Sequence, residues 1–286
     1  MRWTPGGPSA DLEDERGSSG GRGGIGGVHI GIGGFIVLLL LSLVFHRNFF
    51  ALLGGGGAPA GAPAGQTAPV NSSPEENKEV QFVSFVLDDV QNTWAQIFAQ
   101  NGQQYRHAKL VLFRNAVQSG CGTAQTQMGP FYCPADEKVY IDLGFYKELK
   151  NRFGASGDFA EAYVIAHELG HHVQNLLGIS GKVEREQRNN SDEANALSVK
   201  LELQADCLAG VWGHSTQQRN ILEAGDVDEA LNAASAVGDD RIQKQATGRV
   251  NPETWTHGSA QQRSHWFKTG FDSGSIQSCD TFAAGR

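Results

Sequence analysis

The sequence predicts an α+β protein, mainly helical with a small antiparallel sheet, preceded by a single transmembrane helix. Three observations predict it. Of the 37 glycines in 286 residues, 18 fall in the first 65, too many for a core that starts at residue 1. One uncharged stretch, Gly23 to Phe45, ends in IVLLLLSLVF. After Val70 the composition becomes ordinary, and apolar residues recur at helical spacing in several long segments, interrupted by three short strand-like runs.

Residues 1–22 read as a disordered tail. Residues 23–45 are long enough for a bilayer, which takes about 20 apolar residues, and show no polar stripe of the kind a buried core helix carries. Because 22 residues precede this stretch and His46-Arg47-Asn48-Phe49-Phe50 follow it, it reads as an uncleaved anchor rather than a signal peptide. Arg2, Arg16 and Arg22 lie before it, and only Arg47 and Lys78 soon after, which puts the N-terminus in the cytoplasm and the remainder on the exported side. Residues 46–69, containing GGGGAPAGAPAGQTAP, cannot bury apolar surface and read as a flexible tether. The folded domain then spans 70–286.

Within it, Val80, Val83, Leu87, Val90, Trp94 and Ile97 predict a helix over 75–99, after Pro74. The runs KLVLF (109–113), FYC (131–133) and KVYIDL (138–143), separated by Gly and Pro, predict an antiparallel meander. Four helices follow: 158–177 with Asp158 as N-cap and Gly178 as stop, 191–214, 226–243 opened by a capping box of Asp226 and Glu229, and 259–271. The polar stretch 180–190 reads as a loop.

Charge and cysteine narrow the function. Residues 1–69 carry four basic and four acidic side chains, and 70–286 carry 19 and 27. No basic stripe is present, which excludes a nucleic-acid partner. All four cysteines follow the anchor, as disulfides in an exported domain would. Cys121 with Cys133 is the natural pair, leaving Cys207 to tie Cys279 to a helix. No C-x-x-C spacing occurs, so they do not read as a zinc site.

The chemistry lies in VIAHELGHHVQ. His167 and His171, four apart, share one helix face with Cβ atoms about 5–6 Å apart and can both reach one metal ion. Glu168 flanks that ion without ligating it, placed to take a proton from water. A catalytic zinc needs a third protein ligand. Gln174 and Leu177 occupy the positions where the metzincin extension has Gly and His, so that class is excluded. In LELQADCLAG, Glu202 and Asp206 lie four apart: Glu202 completes a His₂Glu set, and Asp206 orients a ligating histidine from behind. Glu193 is the rival carboxylate; His172 and His214 are weaker candidates. A closed structural site in a membrane-tethered scaffold and a hydrolase of a non-protein amide remain open alternatives.

The chain resembles the bacterial, membrane-anchored family described as putative neutral zinc metallopeptidases. The resemblance is carried by MRW (1–3), LEDERGSSGG (12–21), SGCG (119–122), GPFYCPAD (129–136), VYIDL, AHELGHHVQNLLG, SDEANALSVKLELQADCLAGVW, GDDRIQ (238–243) and THGSAQQRSHWFKTGF (256–271). It implies one Zn²⁺ ion, a zincin-like fold and a peptidase-like site in a single-pass protein of the bacterial cytoplasmic membrane. The implied partner is a peptide or protein, and the Ala/Gly/Pro tether, holding the domain close to the membrane surface, points to a membrane or envelope protein. His257 in the THG loop is a candidate donor to the developing oxyanion, and the edge of KVYIDL a seat for an extended peptide.

Overall fold

The structure, a computed structural model, describes residues 1–17 and 72–283. The anchor and tether expected over 23–69 lie outside these residues. Among the described residues no helix is long and apolar enough to cross a membrane.

The expected tail is instead part of the fold. Leu12–Asp14 forms strand β1. Helix α1 follows over Pro74–Gln100, with Pro74 in its first turn and Ser73 capping the Glu76 N–H. Strands β2 (Lys109–Phe113), β3 (Ala116–Ser119), β4 (Gly122–Gln125), β5 (Phe131–Cys133) and β6 (Lys138–Asp142) come next. The helices are then α2 (Gly144–Asn151), α3 (Asp158–Leu176), α4 (Ile179–Asn189), α5 (Ala194–Gln218), α6 (Asp226–Ala236), α7 (Asp239–Thr247) and α8 (Ala260–Ser273).

The α+β class holds, but the sheet is mixed, not an antiparallel meander. Its order is β1-β2-β6-β5; β1 and β6 both run parallel to β2, and only β5 is antiparallel. The two central runs are buried from their second residue onward, as strands covered on both faces must be. Strand β6 is therefore interior, so its edge is not a free seat for a peptide; β5 is the outer strand on that side. β3 and β4 pair as a separate hairpin, tied to β5 by the disulfide Cys121–Cys133, and Cys207–Cys279 closes the C-terminal end onto α5.

Three helical expectations shift. The polar stretch after Gly178 is helix α4, with only Val183 buried. The long helix over 226–243 breaks at Gly238, where an added Cβ would lie 2.3 Å from the Ala260 nitrogen. Gly157 and Gly225, not Asp158 and Asp226, occupy the caps. The Glu229 carboxylate accepts the Phe159 N–H of α3 instead of closing a capping box.

Close helix approaches position the site. An added Cβ on Gly170 of α3 would sit 3.0 Å from the Ala205 carbonyl of α5. On Gly210 of α5 it would fall 2.1 Å from the Phe267 carbonyl, and on Gly270 of α8 1.9 Å from that of Cys207. Glycine thus allows α3, α5 and α8 to touch backbone to backbone. Around this stack Phe159 and Trp212 lie face to face at 5.4 Å, and Trp94, Tyr163 and Phe267 complete the core.

Candidate metal centre

α3 presents His167, Glu168 and His171, with the first two 6 % and 8 % exposed. α5, held close by Gly170, brings Glu202 between the imidazoles. Its Oε2 lies 3.2 Å from His167 Nε2 and its Oε1 3.4 Å from His171 Nε2. One ligating atom from each of the three residues lies within 4.8 Å of the other two.

The hydrogen bonds behind the imidazoles decide what their front faces offer. Asp206, fully buried, takes His167 Nδ1 at 2.9 Å on Oδ1. Arg263 Nε donates to Asp206 Oδ2 at 2.8 Å and its Nη2 to Oδ1 at 2.9 Å; the Tyr163 hydroxyl donates to Oδ1 as well. Burial opposes ionisation of Asp206, but Arg263 and His167 outweigh it and hold the carboxyl below its ordinary range. An ionised carboxylate only accepts, so His167 Nδ1 carries a proton.

His171 is oriented by amides. Its Nδ1 meets Gln174 Oε1 at 2.8 Å. The Gln174 amide cannot be reversed, because its Nε2 donates to the Leu201 carbonyl at 2.7 Å and to Gln204 Oε1 at 3.1 Å. Gln204 is fixed in turn by its own donation to the Cys279 carbonyl at 2.9 Å, beside the disulfide. His171 Nδ1 therefore donates too. In the neutral imidazoles both Nε2 atoms are lone pairs, and they face carboxylate oxygens.

Such a set needs a proton or a cation between its members. Burial disfavours charge on His167, yet Asp206 and Glu202 push its pKa up to about 10. Burial likewise opposes charge on Glu202, and His171, His257 and His167 more than offset it, leaving the carboxyl well below its usual range. Donors bound to zinc at about 2.0–2.1 Å in a tetrahedron lie roughly 3.3–3.4 Å apart. The 3.2 and 3.4 Å separations run to two different Glu202 oxygens and bring the three donors together around one point, and two imidazoles with one carboxylate are a zinc donor set. The residues fit the ion.

Glu168, one position after His167, stands outside the ligand set. Among the described residues its carboxylate accepts no hydrogen bond, which leaves it open to a substrate-side proton. His257 is half-exposed, 2.9 Å from Thr256 Oγ1 and 3.4 Å from Asp239. Asp239 Oδ2 accepts the backbone N–H groups of Thr256, His257 and Gly258 at 2.8, 2.6 and 3.0 Å, pinning that loop. Desolvation opposes charge on His257, but Glu202 and Asp239 raise its pKa above the ordinary imidazole value, and it stands outside the His167, His171 and Glu202 set.

The other candidates are elsewhere. Glu193 is exposed, in the short turn before α5. His172 Nε2 donates to the Arg106 carbonyl at 2.7 Å, and its Nδ1 accepts the Tyr132 hydroxyl at 2.9 Å. His214 donates to the Phe271 carbonyl and accepts from Gln218. Sequence reasoning missed Tyr163, Gln174, Gln204 and Arg263. Gln174 had a signal, three residues after His171; Arg263 had none, 57 residues from Asp206.

Over residues 1–282 the chain matches the family described as Putative neutral zinc metallopeptidase, and it belongs to that family. It is 50% identical to YpfJ, an uncharacterized protein of Escherichia coli K12, over 287 residues that take in 99% of each chain. It is 49% identical over 191 residues to an uncharacterized protein of Mycobacterium tuberculosis, covering 63% of this chain and 64% of that one. No solved structure matches the chain.

Proposed function

We propose that the chain is a zinc-dependent peptidase in which His167, His171 and Glu202 hold one Zn²⁺ and Glu168 is the general base. The observation that carries the reading is the donor geometry: two Nδ1 atoms committed behind, two Nε2 atoms in front, and one carboxylate set between them. When bound, the ion polarises the scissile carbonyl and acidifies water towards neutrality. Glu168 Oε takes the proton of the attacking water and delivers it to the leaving amine nitrogen. His257, held by Asp239, donates to the oxyanion. Asp206 and Gln174 keep the two ligand rings in one tautomer and one orientation.

A structural zinc would be closed by a fourth protein ligand; among the described residues the set has three. A glutamate beside the first histidine also has no purpose in a closed site. The H-E-x-x-H helix crossing a carboxylate-bearing helix beside a mixed sheet supports a zincin-like assignment. A cleft of about 1110 Å³ runs along α5 and α8, walled by Val199, Leu203, Trp255 and Trp266 among polar side chains; His167, Glu168, His171 and Glu202 do not line it. The two disulfides favour work in an oxidising compartment, on exported or envelope proteins.

The test is Glu168→Gln in the full chain, assayed on unfolded casein. Zinc content stays near one per chain while cleavage falls about 10²–10⁴-fold. Loss of zinc would place Glu168 among the ligands, and undiminished cleavage would remove it from the chemistry.

A further inference from the structure

The amides behind His171 form a hydrogen-bond chain with a direction. His171 Nδ1 meets Gln174 Oε1 at 2.8 Å. Gln174 Nε2 donates to the Leu201 carbonyl at 2.7 Å and to Gln204 Oε1 at 3.1 Å, and Gln204 Nε2 donates to the Cys279 carbonyl at 2.9 Å. A side-chain amide can turn over and exchange its oxygen for its nitrogen; a backbone carbonyl cannot. The direction of the chain is therefore set by the two carbonyls at its far ends, those of Leu201 and Cys279.

Gln174 and Gln204 are 0 % and 7 % exposed, so a mismatched N–H or C=O there goes without a solvent partner. Reversing Gln174 alone would set its oxygen against the Leu201 carbonyl and the Gln204 oxygen. Reversing Gln204 alone would set nitrogen against nitrogen and oxygen against the Cys279 carbonyl. The two amides turn together or not at all. Turned together they bond each other again, but Gln174 then presents N–H to His171 Nδ1. That ring nitrogen must become the acceptor, and the ring proton moves to Nε2, the atom that lies 3.4 Å from Glu202 and would hold the metal. Only the Leu201 and Cys279 carbonyls, each left facing an oxygen, oppose this reversed state.

The two carbonyls are held differently. That of Leu201 is part of α5, beside Glu202. That of Cys279 belongs to the C-terminal segment and reaches Gln204 because the Cys207–Cys279 disulfide ties this segment to α5. Gln204 and Cys207 are three apart on α5 and so share a face, which brings the residue joined to Cys207 beside the Gln204 amide. A second tie, from Thr281 Oγ1 to the Lys200 carbonyl at 2.7 Å, holds the segment beyond Cys279. Given the zinc reading above, on which this rests, we propose that Gln204 and the Cys207–Cys279 disulfide position the metal ligand His171, holding it in the tautomer that offers Nε2. A chain with these two cysteines unjoined therefore holds zinc more weakly.

Zinc affinity of the full chain is measured by competition with a chromogenic chelator, at a temperature where circular dichroism shows each variant folded. The oxidised wild-type chain binds one ion; failure at this step removes the zinc reading itself, and this proposal with it. Cys207→Ala combined with Cys279→Ala, and separately Gln204→Leu, should each weaken zinc about 10-fold. All three changes together should weaken it no more than the larger single loss, because both act along one chain of contacts. Cys121→Ala with Cys133→Ala removes the other disulfide, which ties the β3–β4 hairpin to β5 outside the amide chain, and should leave zinc affinity unchanged. Undiminished affinity in the Gln204 or the Cys207/Cys279 variant would overturn the proposal. So would losses that multiply on combination, or an equal loss on removing Cys121–Cys133. Should the Ala pair fail to fold, Cys207→Val with Cys279→Ala refills the volume and is read in the same way.

Discussion

Two sets of three ligating side chains are built around α3, and they are not equivalent. His167, His171 and Glu202 lie at its middle; Asp158, Asp226 and Glu229 lie at its N-terminal end. In both, the ligating atoms lie within 4.8 Å of one another. At the N-terminal set the positive charge is already supplied: the Met1 ammonium stands 2.5 Å from Asp158 and 3.2 Å from Asp226. The Phe159 N–H reaches Glu229 at 3.1 Å, and the Glu223 N–H reaches Asp226 at 2.8 Å. At the middle set the hydrogen bonds fall behind the imidazoles and leave opposed lone pairs in front. Clustering alone does not mark a metal centre; the destination of each lone pair does.

The largest effect that would break this comparison is Glu202→Ala, which takes zinc from about one ion per chain to near zero by elemental analysis, while Asp226→Asn leaves it unchanged. A zinc content lowered by the Asp226 change instead would reverse the ranking. Asp206→Asn strands the buried guanidinium of Arg263 and should cost about 3–5 kcal/mol in denaturant unfolding, together with zinc affinity. Replacing Cys207 and Cys279 by Ala opens a closure spanning 72 residues, roughly 4 kcal/mol of stability. Gln174→Leu should weaken zinc about 10–100-fold in chelator competition with little change in unfolding; an unchanged affinity would mean that His171 needs no amide behind it.

The smallest effect belongs to the N-terminal set. Burial disfavours the Met1 ammonium, but Asp158 and Asp226 outweigh it and raise its pKa above the ordinary 8.0. Its contribution is therefore complete below about pH 8 and fades as pH rises through the higher folded value. Because Asp158 is 36 % exposed, this is no more than about 1 kcal/mol. Unfolding followed from pH 7 to 10 should show a decline that Asp226→Asn flattens; equal declines would detach Met1 from that carboxylate.

Local pattern made much of this molecule legible. The apolar spacing of α1, the runs of β2, β5 and β6, the H-E-x-x-H helix and the Glu202/Asp206 pair stand where periodicity places them, and the disulfides pair as spacing suggests. What escaped depended on partners distant in the chain. β1 is three residues in a Gly-rich polar stretch, meaningful only beside β2. α4 buries a single side chain, so no apolar stripe announced it. The parallel pairing was written in the unbroken burial of β2 and β6, which an alternating antiparallel face would not show. Arg263 reaches Asp206 because Gly210 and Gly270 let α8 touch α5, a contact no single segment displays.

Anomalous scattering at the zinc edge, from crystals of the full chain grown with one equivalent of Zn²⁺, separates the two sets in a single measurement. The account predicts one peak, about 2.0–2.1 Å from His167 Nε2, His171 Nε2 and a Glu202 oxygen. A peak among Asp158, Asp226 and Glu229, or none between the imidazoles, would contradict it.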